Sequence, residues 1–173
     1  MLKNKKGVSD IIATVILIAL VMAVAGIVWI VVNNFVRDQT EDVGACFGLF
    51  EKVTFNDRYT CYDSDSDELQ FSINVGDVDV DAILVGVSGK EAGVSFKLKK
   101  EPSAVSNVYM YPNHNTMVRS PGPNSGLTYF FDIVEAGLSE EPDVIQISPV
   151  IDGKQCEVSD LITEIVNCAI LAS

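Results

Sequence analysis

Apolar and polar positions divide the chain into two parts. From Ile11 to Val32 runs an uncharged, almost wholly apolar stretch of 22 residues. As a helix it extends about 33 Å at roughly 1.5 Å per residue, enough to cross the hydrocarbon core of a bilayer. Beyond it, Val36, Thr40, Val43, Phe47 and Phe50 recur at spacings of 4, 3, 4 and 3, which is one face of an α-helix. Arg37, Asp38, Glu41, Asp42 and Glu51 fall mostly on the other faces. The pattern predicts a single N-terminal helix over residues 8–53, with a membrane-length core at 11–32 and an amphipathic second half. Gly44 and Gly48 interrupt good helix formers at about 1 kcal/mol each, and suggest either close backbone packing or a hinge.

From Asp57 onward the period falls to two. Residues 58–62, Leu69–Val75, Ala82–Val87, Val94–Leu98, Val105–Tyr111, Leu127–Val134 and Val144–Ile151 read as strands separated by Asp, Ser and Gly turns. The expected fold is α+β: a long hydrophobic helix followed, over residues 54–173, by an antiparallel Ig-like β-sandwich. Glu101 to Gly126 holds four prolines and reads as a long, weakly structured loop. In the tail, Leu161, Ile162, Ile165, Val166 and Ala169 follow a helical spacing, with Asp160 as a cap, and predict a short helix from Ser159.

Charge narrows the function. Twelve basic residues stand against 24 acidic ones, a net charge of −12. A chain this acidic is a poor nucleic-acid binder, because phosphate contacts need clustered Lys and Arg. Lys3, Lys5 and Lys6, ahead of the apolar run, favour a cytoplasmic N-terminus and an exported remainder. The four cysteines, Cys46, Cys61, Cys156 and Cys168, all lie in that remainder, where disulfides are the default reading. Four cysteines allow three pairings and sequence does not choose among them. Short loop closure favours Cys46–Cys61 with Cys156–Cys168; the alternative ties the end of the helix to the C-terminal segment.

Candidate chemistry is sparse. Asp63, Asp65 and Asp67 alternate as in a calcium loop, but Glu68 stands where the sixth-position glycine belongs and Asn74 where the closing glutamate belongs. A solvated turn is the expected reading. Asp77, Asp79 and Asp81 alternate with Val78 and Val80, which suits a strand whose charged face discourages edge pairing. His114, flanked by Asn113 and Asn115, reads as an exposed loop residue. No serine has a nucleophile-elbow context and no glycine-rich phosphate loop is present. The reading is therefore of a non-enzyme with no catalytic residues, no metal and no cofactor.

The order of the first parts is unusual. A secretory signal carries its cleavage site after its apolar segment; here Gly7 precedes it. Ala23-Val24-Ala25 has the small-x-small form of a secretory site, but the apolar run continues through Ile27–Val32. Lys5-Lys6-Gly7, followed by Val8-Ser9-Asp10-Ile11-Ile12-Ala13-Thr14-Val15 and the Leu/Ile/Ala/Val run, resembles the class III signal peptide of archaeal type IV pilins. Archaellins, the related filament proteins, usually open the helix with Gly-rich apolar residues instead. The resemblance covers about the first 35 residues and implies a leader over residues 1–7, cut between Gly7 and Val8 by a membrane prepilin peptidase. It implies assembly of the mature helices into the core of a surface filament for adhesion or surface interaction. The implied partners are copies of the same chain, the peptidase, an assembly ATPase with its membrane platform, and the membrane before assembly. Ala19, Ala23 and Gly26 would let neighbouring helices approach closely. Ser9 and Asp10 either cap the helix or, through Asp10, pair with the new α-amino group of Val8 on a neighbouring subunit. Bacterial pilins carry a glutamate five residues into the mature chain, where this chain has Ile12. Two further readings stand beside this one: a minor pilin, and a membrane-anchored extracellular ligand-binding protein with the same leader.

Cutting after Gly7 removes three lysines, leaving nine basic residues against 24 acidic ones and a net charge of −15. N-terminal sequencing of the mature protein is expected to begin at Val8, and Gly7→Phe to block the cut. A mature chain beginning at Met1 or Gly26 would reject this processing.

Overall fold

The structure, a computed structural model, describes residues 6–46, 48–49, 51–138 and 141–171, with side chains of the N-terminal helix described over 12–36 and at 46. The chain divides into two compact units, residues 1–44 and 45–173. Helix α1 runs from Lys6 to Cys46 over 41 residues, seven short of the expected end at residue 53. Backbone geometry accounts for the difference. Gly48 adopts φ +84° and Glu51 φ 64°, left-handed values that leave the helical path. Val53, expected at the helix end, instead opens a strand and is fully buried with Phe55 nearby. Phe47 and Phe50, expected on the helical face, lie outside the described residues, as do Lys3 and Lys5.

The second unit is built from antiparallel sheets. In chain order the strands are β1 (Val53–Phe55), β2 (Cys61–Asp63), β3 (Glu68–Val75), β4 (Ala82–Ser88), β5 (Gly93–Lys99) and β6 (Ser103–Ala104). They continue as β7 (Val108–Met110), β8 (Met117–Val118), β9 (Ser125–Asp132), β10 (Val144–Ile151), β11 (Lys154–Gln155) and β12 (Asp160–Ile162). One five-stranded sheet has the order β1-β3-β9-β7, with β2 also pairing β3; a second has β11-β10-β4-β5, with β12 also pairing β10. β6 and β8 form a small two-stranded piece. In the first sheet β1 takes residues 73–75 of β3 and β2 takes residues 68–70, so one edge of β3 is covered in two segments.

Alternation along the strands sends every second residue into a shared core. Leu69, Phe71, Ile73 and Val75 of β3 and Tyr129 and Phe131 of β9 enter it from one sheet. Ile83, Val85 and Val87 of β4, Phe96 and Leu98 of β5, and Ile145 and Ile147 of β10 enter from the other. Aromatic contacts cross between the sheets: Phe71 lies 6.1 Å from Phe96, and Phe96 stacks on Phe131 at 5.1 Å. Such pairs add about 0.5–1.5 kcal/mol beyond their buried area. Tyr129 is fully buried and donates its hydroxyl to the Arg119 carbonyl at 2.6 Å; burial pushes its pKa upward.

Pro149 lies inside β10, a position that normally disfavours proline because a ladder donor is lost. Its carbonyl accepts from Cys156 N at 2.9 Å, so its nitrogen faces the same side of the strand. On that side β12 pairs residues 145–147 and β11 pairs 150–151, and Pro149 falls between them where no donor is required.

Three local expectations change. The tail from Ser159 forms β12 and then, after a short connection, helix α2 (Cys168–Leu171), because the open edge of β10 offers ladder partners that a helix would forgo. Asp160, expected to cap that helix, instead accepts from Phe55 N through Oδ2 at 2.8 Å and so joins β12 to β1. Asp77, Asp79 and Asp81 belong to an irregular connection between β3 and β4 and not to a strand. Val80 is buried there, while the acids pair outward with Lys52, Lys100 and the backbone N of Gly153. The proline-rich segment 101–126 contains β6, β7 and β8 and is more ordered than its composition suggests.

The cysteines are paired Cys46–Cys156 and Cys61–Cys168, with Cα separations of 5.5 and 4.9 Å. This corrects the pairing favoured by short loop closure. The folded sheets bring partners 110 and 107 residues apart into contact, so tertiary proximity overrides sequence distance. Loops of this length restrict the unfolded chain more strongly than short ones, about 4–5 kcal/mol in the chain-entropy picture. Peptide mapping of the oxidised protein is expected to recover these two pairs and no free thiol. Reducing both is expected to lower unfolding stability by about 2–5 kcal/mol per bond, read from denaturant midpoints; four titratable thiols in the native, air-oxidised protein would contradict it.

Candidate functional site: an uncovered apolar helix

An extended apolar surface stands out among the described residues. From Ile12 to Val36 the helix runs 25 residues, its most apolar 18-residue window has a mean hydropathy of 3.2, and none of the span is buried. The uncharged stretch reaches Val36, past the expected bound at Val32, because Asn33 and Asn34 remain helical and are followed by Phe35 and Val36. At roughly 1.5 Å per residue it extends about 38 Å, longer than a bilayer's hydrocarbon core. Among the described residues it is the one helix long and apolar enough to cross a membrane.

The apolar side chains occupy all faces. Ile16, Leu17, Ile18 and Leu20 are consecutive or nearly so, and each is more than half exposed, as are Ile27, Val28, Trp29 and Ile30. Sixteen large apolar side chains between Ile12 and Val36 are more than half exposed, and Val32 is nearly so. Burying each is worth about 1.5–3 kcal/mol, an aggregate several times the 5–15 kcal/mol that holds a typical domain folded. A surface of that size is covered by lipid or by other protein. Ala19, Ala23 and Gly26 are exposed along the same helix, and a Cβ added at Gly26 would meet nothing within 4 Å. The helix begins at Lys6, so in the uncut chain Gly7, Val8, Ser9 and Asp10 are already helical; a cut after Gly7 would leave Ser9 and Asp10 in the first turn.

Cys46 is the last residue of α1. Its disulfide to Cys156 and the bond from Cys156 N to Pro149 O attach that point to β10. The second disulfide fastens the C-terminal segment to β2. There Tyr62 N donates to Val166 O at 2.9 Å, and Asn167 Nδ2 to Ser64 Oγ at 3.1 Å.

The polar clusters singled out by sequence serve as local structure. Asp63 Oδ1 accepts from Asp65 N, and Asp67, at φ 54°, accepts from the Tyr62 hydroxyl at 2.8 Å. Burial of Tyr62, reinforced by that carboxylate, pushes its pKa up to about 12. His114 Nε2 lies 3.1 Å from Glu68 Oε1, and its ring stacks on Phe130 at 4.3 Å with planes 3° apart. This pins the loop after β7 onto the outer face of the first sheet. Among the described residues no group of three or more His, Cys, Asp or Glu side chains is arranged to hold a metal ion. The outward residues of β3, Gln70, Ser72 and Asn74, line a shallow groove that the sequence reading did not single out. Strand alternation marks them as outward-facing, but only the register of β3 with β9 shows what they stand beside.

Comparison of the chain with protein-family models, with curated proteins and with solved structures found no match.

A chain beginning at Arg37 lacks the uncovered span and keeps all four cysteines. It is expected to be soluble and monomeric without detergent, with the β-rich circular dichroism of the intact protein's second unit, whereas the full chain partitions into detergent or membranes. Aggregation of the truncated chain would locate the exposed apolar surface elsewhere.

Proposed function

We propose that this chain is the precursor of a structural subunit of a type IV pilus-like surface filament, similar to the archaeal type IV pilins. The observation that carries the proposal is the 25-residue helix, apolar on every side and uncovered, joined to a disulfide-bonded β domain. Lys5-Lys6-Gly7 ahead of Val8 supplies the second support. On this reading a prepilin peptidase cuts after Gly7, Lys3, Lys5 and Lys6 stay on the cytoplasmic side, and the β domain is exported. Two antiparallel sheets with one shared apolar core support reading that domain as an Ig-like sandwich. Two disulfides fit an oxidising, extracellular location.

The mechanism is a change of solvent. Before assembly, lipid covers the helix. During assembly, an ATPase and its membrane platform extract the subunit, and the same apolar surface is buried against other copies of the helix. Burial at about 25 cal/mol per Å², repeated in every subunit, makes the core cohesive without any catalytic group. Ala19, Ala23 and Gly26 let helix backbones approach closely, as small residues do at helix contacts in membranes. A membrane-anchored ligand-binding protein is the second reading; the groove on the first sheet favours it, and a minor pilin would share both features.

Small-to-large substitution separates these. A solitary anchor needs only hydrophobicity, and Ala19→Leu or Ala23→Leu would leave it unaffected. In a filament, overpacking costs about 1–3 kcal/mol per contact. Both variants are expected to insert and be cleaved but to give little polymer by electron microscopy of sheared surface fractions. Normal polymer from both variants would show that the Ala19 and Ala23 faces are not packed in the filament; no polymer from the unmodified protein, with binding of a solute instead, would defeat the filament reading.

A further inference from the structure

On the outer face of the first sheet lies an open groove of about 300 Å³, at the lower end of the size range of small-ligand sites. Tyr59, at the end of a short helical turn, and Tyr111, just after β7, both line it and are each 52% exposed. Tyr111 is held in place: its ring lies 5.6 Å from Phe130, which is itself stacked on His114. Apart from Gly126, the remaining lining is amide and hydroxyl, from Asn56, Gln70, Ser72, Asn74 and Thr128. Two of the amides are already oriented. Gln70 Nε2 donates to Tyr59 O at 3.4 Å, and Asn56 Oδ1 accepts from Arg58 N at 3.2 Å. Gln70 Oε1 and Asn56 Nδ2 are left as an acceptor and a donor for a ligand.

Gly126 contributes by having no side chain. It pairs with Asn74 across β3 and β9, and a Cβ built there would run into Asn74 Oδ1. Any larger residue would displace that amide and narrow the groove.

Charge decides the ligand class. The chain carries 24 acidic residues, yet none of the residues lining this groove is charged. The domain's negative field disfavours an anion, and a bound cation would call for the carboxylates that the groove lacks. Neutral groups that both donate and accept suit hydroxyls, which do the same. Exposed aromatic faces suit a flat patch of C–H bonds. We infer that this groove binds an uncharged carbohydrate, with sugar faces against Tyr59 and Tyr111 and hydroxyls against Gln70, Asn56, Asn74 and Thr128. The inference goes beyond the filament reading: the groove lies wholly within residues 45–173 and does not depend on polymerisation.

The test uses the full chain in phosphatidylcholine vesicles, which offer no competing sugar headgroup. Saturation-transfer NMR is run against neutral gluco-, manno- and galacto-oligosaccharides, with a uronic-acid oligomer and an uncharged Ser/Gly/Thr peptide as the competing classes. At least one neutral saccharide is expected to bind in preference to both competitors. Tyr111→Ala is expected to weaken it by about tenfold or more, Gln70→Ala to weaken it as well, and Tyr111→Phe to retain it. Near-ultraviolet circular dichroism and an unchanged thiol count check the fold; should Tyr111→Ala fail them, Tyr59→Ala on the other wall takes its place. No binding across the neutral panel, preference for the uronate or the peptide, or binding that survives loss of the tyrosine would overturn the inference.

Discussion

A helix with 25 successive uncharged residues and no covered face cannot be left in water, and the proposed filament role rests on how that surface is covered. Helical hydrogen bonding satisfies the backbone within the segment, so lipid can cover it without cost to the peptide groups. The same surface can be covered by identical helices, since neither environment needs a polar partner. Interchange between the two requires no chemistry at a reacting atom.

The second unit is organised to hold its own ends. Cys46 and Cys156 bond the last residue of α1 to the segment beside β10, while Cys61 and Cys168 bond the C-terminal segment to β2. Asp160 adds a contact between β12 and the backbone of β1. In a filament of the proposed kind, tension carried along the helix would reach Cys46 and be shared at once with β10 through Cys156, instead of peeling β1 from its edge. Many of the abundant acids have local roles: Asp77 and Asp79 pair with lysines, Asp67 holds Tyr62, and Glu68 holds His114. Lys52 draws the Asp77 carboxyl below its usual pKa through a hydrogen bond and its charge. Such exposed pairs contribute little to stability, but they orient loops around the sheets.

Strand-length alternation was legible because the period of two survives in any sheet with one buried face. β3, β4, β5, β9 and β10 fall close to the segments read from it. The errors cluster where local pattern and tertiary opportunity disagree. Leu161, Ile162 and Ile165 have a helical spacing, yet the edge of β10 takes residues 160–162 as a strand, and Ile162 and Ile165 pack on the core from there. Val53 continued an apolar pattern that a helix would accept, but it is buried in a sheet instead. Asp77 to Asp81 alternate like a strand because Val80 must turn inward while the chain passes between sheets.

By itself the sequence determined a basic N-terminal segment, an apolar helix of membrane length, an acidic β-rich remainder and four cysteines, because each depends on composition or on a period only a few residues long. Only the tertiary structure decided which cysteines meet, since pairing depends on distance in space between residues more than a hundred apart in the chain. It also decided that Tyr59, Gln70, Tyr111 and Thr128 share one groove. They come from a helical turn, two strands and a loop, and only the register of β3, β9 and β7 brings them side by side. Short-range pattern encodes which face a residue takes; the neighbours on that face are set by strand register, to which distant parts of the chain contribute.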